Sequence, residues 1–317
     1  MLNRRHLRIK VFQAIYSYLN GAKNDLVVEE KELIKGIDRI YELFILHISV
    51  LTELNRFASK LIEERKKKRL PTDEDLNPNM KFVEHKLLAS LSESDDLQKK
   101  VEQFKISWVD NQELIKKIFN SIVDSKEYQE FMSSENSDFD TSKEFIIKIY
   151  KRFIADNEML EHVFEEKSIH WADDNYFVCG YITKFLKNYK SKWTSERKIP
   201  VLYKNLEDDT EFIKVLFRKT LLNNDEFEKL IMTKAKNWEA DRIAAVDFIF
   251  MKMAVCELTK LNSVPVKVTL NEYIELSKIY STPKSKNFVN GLLDSISKVM
   301  IKDRLIRKSG RGLLDNQ

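Results

Sequence analysis

The chain is 317 residues long, with 6 Gly, 5 Pro, 33% charged residues and a formal net charge of +4. So few turn-forming residues among many Lys, Glu, Leu and Ile argue against a β-rich fold and for an all-α protein, long enough for two domains. No apolar run approaches the roughly 18 residues of a membrane-spanning helix, and the opening Met1-Leu2-Asn3-Arg4 lacks the apolar stretch of a signal peptide, so a cytoplasmic protein with no membrane contact is expected.

The modest net charge conceals an uneven distribution. Residues 1–10 carry four basic side chains and no acid, and residues 281–317 carry eight Lys/Arg against three Asp. Residues 121–180 carry fourteen Asp/Glu against six Lys/Arg. A polyanion would approach the two ends, if the fold brings them together.

Residues 7–19 have the spacing of an amphipathic helix, with Leu7, Val11, Ala14, Ile15, Tyr18 and Leu19 as its stripe. Arg4 and Arg8 fall near the angle of that stripe, so the first turn is expected to overhang the bundle as a basic tip. A turn over Gly21–Asp25 leads into a long helix from about Val28 to Lys68, with Leu33, Ile37, Ile40, Phe44, Ile48, Leu51, Leu54 and Leu61 in phase. Its cationic end, Arg65-Lys66-Lys67-Lys68-Arg69, suits the helix macrodipole and reads either as a solvated terminus or as a second nucleic-acid patch.

Further helices are expected near 80–106, 111–132, 143–165 and 173–190, with a polar linker over Ser133–Asp140. Cys179 and Cys256 sit in apolar helical patterns and read as buried free thiols. Residues 144–182 align without gaps on 211–249, an offset of 67, with nine identities that include Phe145/Phe212, Asn157/Asn224, Trp171/Trp238 and Ile182/Ile249. A true internal duplication and the shared chemistry of Lys/Glu/Ile-rich helices are both compatible with that echo.

The last third of the chain holds two more helices. Thr269, with Glu272 three residues on, has the form of a capping box starting a helix that runs towards Tyr280. Thr282-Pro283 restarts the chain, and Phe288, Leu292, Ile296 and Val299 form the seam of a second helix. There is no Gly-rich phosphate loop, no CxxC and no HExxH, and His162 and His170 are not spaced as a metal pair, so no catalytic residue, cofactor or metal is expected.

Three blocks carry a family resemblance. The stretch Pro265-Val266-Lys267-Val268-Thr269-Leu270-Asn271-Glu272 followed by Phe288-Val289-Asn290-Gly291-Leu292-Leu293-Asp294 resembles the C-terminal signature of the NusB family of bacterial transcription antitermination factors. Arg4-Arg5-His6-Leu7-Arg8 with Gln13-Ala14-Ile15-Tyr16-Ser17 is similar to that family's Arg-rich opening, and Arg242-Ile243 through Cys256-Glu257-Leu258 to its buried helix. The resemblance covers roughly residues 1–20 and 209–300.

It implies NusB-like helical bundles built from residues 1–20 and 209–317, enlarged by a helical insertion over 21–208. It also implies a binding protein without enzymatic activity. Such a protein grips boxA-like single-stranded RNA together with a small-subunit ribosomal protein (NusE), acts on the elongating RNA polymerase and supports ribosomal RNA synthesis. The matching RNA-binding residues are Arg4, Arg5, Arg8, Lys286, Phe288 and Asn290, and the faces of the helices near 239–261 and 269–280 would meet the protein partner. The chemistry of these residues suits RNA, since guanidinium forks and a helix N-terminus bind phosphates and exposed aromatic rings stack bases.

Overall fold

Asn3 opens the first helix by accepting a hydrogen bond from the His6 amide at 3.1 Å, so α1 runs over Arg4–Asn20. The computed structural model describes residues 1–21, 25–135, 138–171, 173–194, 196–235 and 243–316, and among them every regular element is helical. The chain divides into two compact units, Met1–Ile37 with Tyr203–Gln317, and Asp38–Leu202. Helix α2 (Leu26–Lys66) starts in the first and ends in the second. No helix among the described residues is long and apolar enough to cross a membrane.

The second unit is organised on α2, where every residue from Leu43 to Leu51 is buried. A helix buried on all sides must be apolar all round, and LFILHISVL meets that demand except at His47 and Ser49. Both polar groups are satisfied. Trp108 donates its indole N–H to Ser49 at 2.9 Å, and His47 lies 2.8 Å from the Asn175 amide oxygen and 3.2 Å from the Tyr150 hydroxyl.

Around α2 stand α3 (Asp73–Leu76), α4 (Lys86–Ser92), α5 (Asp95–Gln103), α6 (Gln112–Val123), α7 (Lys126–Ser133), α8 (Phe139–Ile149), α9 (Glu158–Lys167) and α10 (Asn175–Lys187). The long helices expected near 80–106, 111–132 and 143–165 are each divided. The breaks contain no Gly or Pro. Each is made by a side chain that caps the helix after it: Ser94 accepts from Leu97, Ser125 from Tyr128 and Asn157 from Leu160. The cationic end of α2 is partly folded back, since Lys68 bonds Asp75 at 2.9 Å.

The first unit is organised on α13 (Ala245–Lys260), which is buried continuously from Ile249 to Leu258. It packs against α1, α11 (Leu206–Leu222), α12 (Asn224–Ala235), α14 (Val266–Tyr280) and α15 (Ser285–Lys302). Arg218 on α11 pairs with Glu30 at the start of α2, one bond being 2.7 Å long.

Two expectations change in this unit. Helix α14 begins at Val266, directly after Pro265, so Thr269 and Glu272 do not form the expected capping box. Thr269 is fully buried and bonds Glu257, while Glu272 pairs with Arg5. Pro283 lies in the turn before α15 rather than at its first position. The buried face of α15 is Val289, Leu292, Leu293, Ile296 and Met300, which leaves Phe288 at its edge, half-buried.

Cys256 is buried, and burial pushes its thiol up to about 12; Cys179 is half-buried, and burial raises its thiol too. Neither cysteine is in a disulfide.

The two aligned segments have matching limits in their first two helices, while α10 and α13 start three and end six residues out of step. The run Phe139–Ala155, α8 and the π-helical turn that continues it, corresponds at the offset of 67 to α11 over Leu206–Leu222. Their N-caps correspond as well: Asp138 accepts from Thr141, and Asn205 from Asp208. Helices α9 and α12, then α10 and α13, follow in the same order. Phe145/Phe212, Ile146/Ile213, Leu160/Phe227, Phe164/Ile231 and Ile182/Ile249 are buried in both members of each pair. Trp238, Asp241 and Arg242 lie outside the described residues.

Candidate nucleic-acid interface

The buried face of α1 is Leu7, Arg8, Val11, Phe12 and Ile15, so an arginine stands in the middle of an apolar stripe. The expected basic overhang therefore does not form at Arg8, whose side chain is 2% exposed. The reason is Glu257, fully buried on α13, which accepts two hydrogen bonds from the Arg8 guanidinium at 2.6 and 2.8 Å. Thr269 and Tyr273 of α14 donate to the same carboxylate at 2.8 and 3.2 Å. Burial alone would weaken the Arg8 charge. The facing carboxylate outweighs it and raises the Arg8 pKa above its ordinary value. Burial pushes the Tyr273 hydroxyl well up, with Glu257 adding to the effect, so Tyr273 stays a donor. Three helices are thus tied to one carboxylate.

Arg4 and Arg5 are closer to solvent, with side chains 31% and 40% exposed. Arg5 binds Glu272 through two bonds of 2.8 Å. Arg4 meets Asp208 at 2.7 Å and Asp209 at 3.1 Å, and its guanidinium lies 4.2 Å from the centre of the Phe212 ring. The three arginines therefore face four carboxylates, Asp208, Asp209, Glu257 and Glu272. His6, between them, is pushed down to about 4 by burial and then by the neighbouring Arg5 charge, so it is neutral at physiological pH.

The start of α15 supplies the other half of the expected site. Lys286 and Asn290 are exposed and Phe288 is half-buried. Lys284, the residue before the helix, makes no side-chain cap, and the first amide of the helix, that of Ser285, is bonded to the Thr282 carbonyl at 2.9 Å. Both halves adjoin α14: Arg5 bonds its Glu272 at 2.8 Å, and α15 packs against it. Glu275 is held below the usual carboxylate range by Lys278, which bonds it, and further by Arg5 and Lys286.

Beside α1 lies a cleft of about 520 Å³ whose walls include Arg4, Arg5, Pro265, Glu272, Arg311 and Leu314.

Sequence reasoning missed Glu257, Glu272 and Phe212 as partners of the arginines. A signal was present: Glu257 is an acid in a run, Ile249–Leu258, that is apolar but for it and Lys252, and Arg8 is a base in an apolar stripe. Two opposite charges on two buried faces have to meet. The partner surface expected on the helix near 239–261 is not available along α13, which is buried from Ile249 to Leu258. On α14, Val268, Ile279 and Tyr280 remain exposed.

The profile of the NusB family matches residues 182–298. Among curated proteins, the Transcription antitermination protein NusB of Salinibacter ruber is 44% identical over 104 residues, 33% of this chain and 65% of that protein. The protein of the same name from Chloroherpeton thalassium is 40% identical over 105 residues, 33% of this chain and 50% of its own length. That of Listeria welshimeri is 34% identical over 105 residues, 32% of this chain and 82% of its own length. The chain thus spans 65% and 50% of the first two relatives, and two thirds of it lies outside each match. No solved structure matches the chain. With the family profile covering the last helices and 82% of a curated relative aligned at 34% identity, the chain belongs to the NusB family.

Proposed function

We propose that this protein is a transcription antitermination factor that binds boxA-like single-stranded RNA, without catalysing a reaction. The placement of α14 carries the reading, because its Glu272 bonds Arg5 at 2.8 Å while α15, which bears Lys286, packs against the same helix. Arg5 would share its guanidinium between Glu272 and a phosphate. Lys286, Asn290 and the N-terminal end of α15 would continue the track, with the edge of Phe288 offered to a base. Arg8 supports the site from behind by fixing α1 against α13 and α14.

The core of the site would be residues 1–20 and 209–317, with the acidic helices over 21–208 as an insertion into it. Tyr16, Ile279 and Tyr280 are 43%, 61% and 36% exposed, and Phe12 lies between the two tyrosine rings at 6.2 and 5.4 Å. This aromatic patch is a fitting contact for a NusE-type ribosomal protein. The complex would act on the elongating RNA polymerase in the bacterial cytoplasm and support ribosomal RNA synthesis.

One observation favours a second reading, a helical scaffold that contacts protein alone: the three arginines are already balanced by four carboxylates. Fluorescence anisotropy of a labelled boxA-type RNA, with and without the NusE-type protein and across a salt series, separates the two. The RNA reading expects saturable binding that tightens with the partner and weakens with salt. Absence of binding under both conditions, by a folded protein, selects the scaffold.

A further inference from the structure

The family profile ends at residue 298, but the chain continues into a segment that is folded against the candidate site. Helix α15 closes with a turn in which Leu305 donates to the Met300 carbonyl at 2.9 Å and Arg304 takes a left-handed φ of 55°. The chain then returns to the C-terminal end of α13. Lys308 donates to the carbonyls of Glu257 and Leu261 at 3.2 and 3.0 Å, so its ammonium caps the helix that carries the buried carboxylate. The Ser309 amide bonds the Asn262 carbonyl at 3.1 Å. Gly312 packs so closely on the same carbonyl that a Cβ there would lie 2.0 Å from the Asn262 oxygen. Only glycine allows this approach.

The anchoring sets Arg311 and Leu314 along the wall of the cleft that also holds Arg4 and Arg5. Arg311 is 75% exposed and touches Asp208 only at 3.5 Å, the carboxylate that Arg4 holds at 2.7 Å. Arg304 and Arg307 are exposed on the approach.

We infer that this C-terminal segment is the outer wall of the RNA cleft. Arg311 supplies a phosphate contact, and Leu314, 61% exposed, gives an apolar face for a ribose or base. The inference rests on the RNA reading above and extends it to residues outside the family match. Chemically, the segment brings a cluster with one carboxylate in excess to neutrality. Three arginines face four carboxylates at the first turn of α1, and Arg311 adds a fourth guanidinium that is largely unshielded.

The experiment uses the full chain, a boxA-type RNA and a salt series, with Arg311→Ala, Arg311→Lys, Gly312→Val and, as reference, Arg5→Ala. Arg311→Ala is expected to weaken binding several-fold and to flatten the slope of log K against log salt by about 0.7, one phosphate contact on a single strand. Arg311→Lys keeps the slope. Gly312→Val, which displaces the wall, loses at least as much affinity as Arg311→Ala while its helical circular dichroism is retained. A photocrosslinking amino acid in place of Leu314 should attach to the bound RNA. Unchanged affinity and slope in Arg311→Ala, with Arg5→Ala weakened, would overturn the inference and leave the RNA reading standing. If the unaltered chain binds no RNA, both fall together.

Discussion

Each unit is built around one helix that is buried on every side, and the two helices treat buried polarity differently. In the second unit the window Leu43–Leu51 of α2 admits only neutral groups, His47 and Ser49, each satisfied by a neutral partner. In the first unit the window Ile249–Leu258 of α13 admits full charges, Lys252 and Glu257, at 5% and 0% exposure. Lys252 is bonded by Asn224 and Glu228 at 2.8 Å each, and Glu257 by Arg8, Thr269 and Tyr273. Buried charges are costly unless their geometry is fully met, so such an arrangement is unforgiving about where the partner helices stand. The unit that carries them is the one in which α1, α14 and α15 must hold separate basic residues in register.

The largest effect should come from splitting the anchor. Arg8→Ala or Glu257→Ala leaves one buried charge unpaired and is expected to cost about 3–5 kcal/mol of stability in urea unfolding. Arg8→Met with Glu257→Leu should recover part of the loss, because both charges go together while the Thr269 and Tyr273 hydroxyls lose their acceptor. Single substitutions that cost under about 1 kcal/mol would show that the pair is solvated in solution.

The neutral centre of the second unit should answer to pH instead. Burial, set against the Asn175 hydrogen bond, lowers His47 from 6.5 to about 4. The folded state therefore resists protonation. Its stabilisation is complete above about pH 6.5 and is lost as pH falls towards 4, by about 3 kcal/mol in all. Amide exchange over residues 43–51 should accelerate across that window, and His47→Gln should flatten the dependence. Burial lowers His6, in the first unit, and His85, in the second, as well, so the part of the dependence that His47→Gln removes is that of His47. Exchange at those amides that is indifferent to pH, once intrinsic rates are divided out, would contradict the buried neutral histidine.

The smallest effect concerns the turn after α15. Arg304 holds a left-handed φ that glycine adopts without strain, so Arg304→Gly should stabilise the first unit by roughly 0.5–1 kcal/mol. A loss of stability would mean that the Arg304 side chain is itself holding the turn.

Much of the architecture could be read from local chemistry. The scarcity of Gly and Pro indicated helices throughout, and α2 falls within two residues of its expected ends because its apolar period is unbroken. What escaped was long-range pairing. Arg8 and Glu257 are 249 residues apart, so neither charge announces its partner, and Arg8 alone looks like part of a basic tip. Thr269 and Glu272 match a capping box at three-residue spacing, but both turn to partners on other helices. The helix breaks at Ser94, Ser125 and Asn157 were hidden because a single side-chain oxygen does there what Gly or Pro does elsewhere.

The most direct test of the account compares two kinds of arginine in one RNA-binding series. Arg5→Ala should weaken boxA-type RNA binding and flatten its salt slope while stability changes little, because Arg5 lies at the surface. The Arg8→Met, Glu257→Leu pair should keep the RNA affinity and slope of the unaltered chain, because Arg8 acts within the core. If the Arg8 pair loses a phosphate contact from its salt slope while Arg5→Ala does not, the division between anchoring and RNA-facing arginines is wrong.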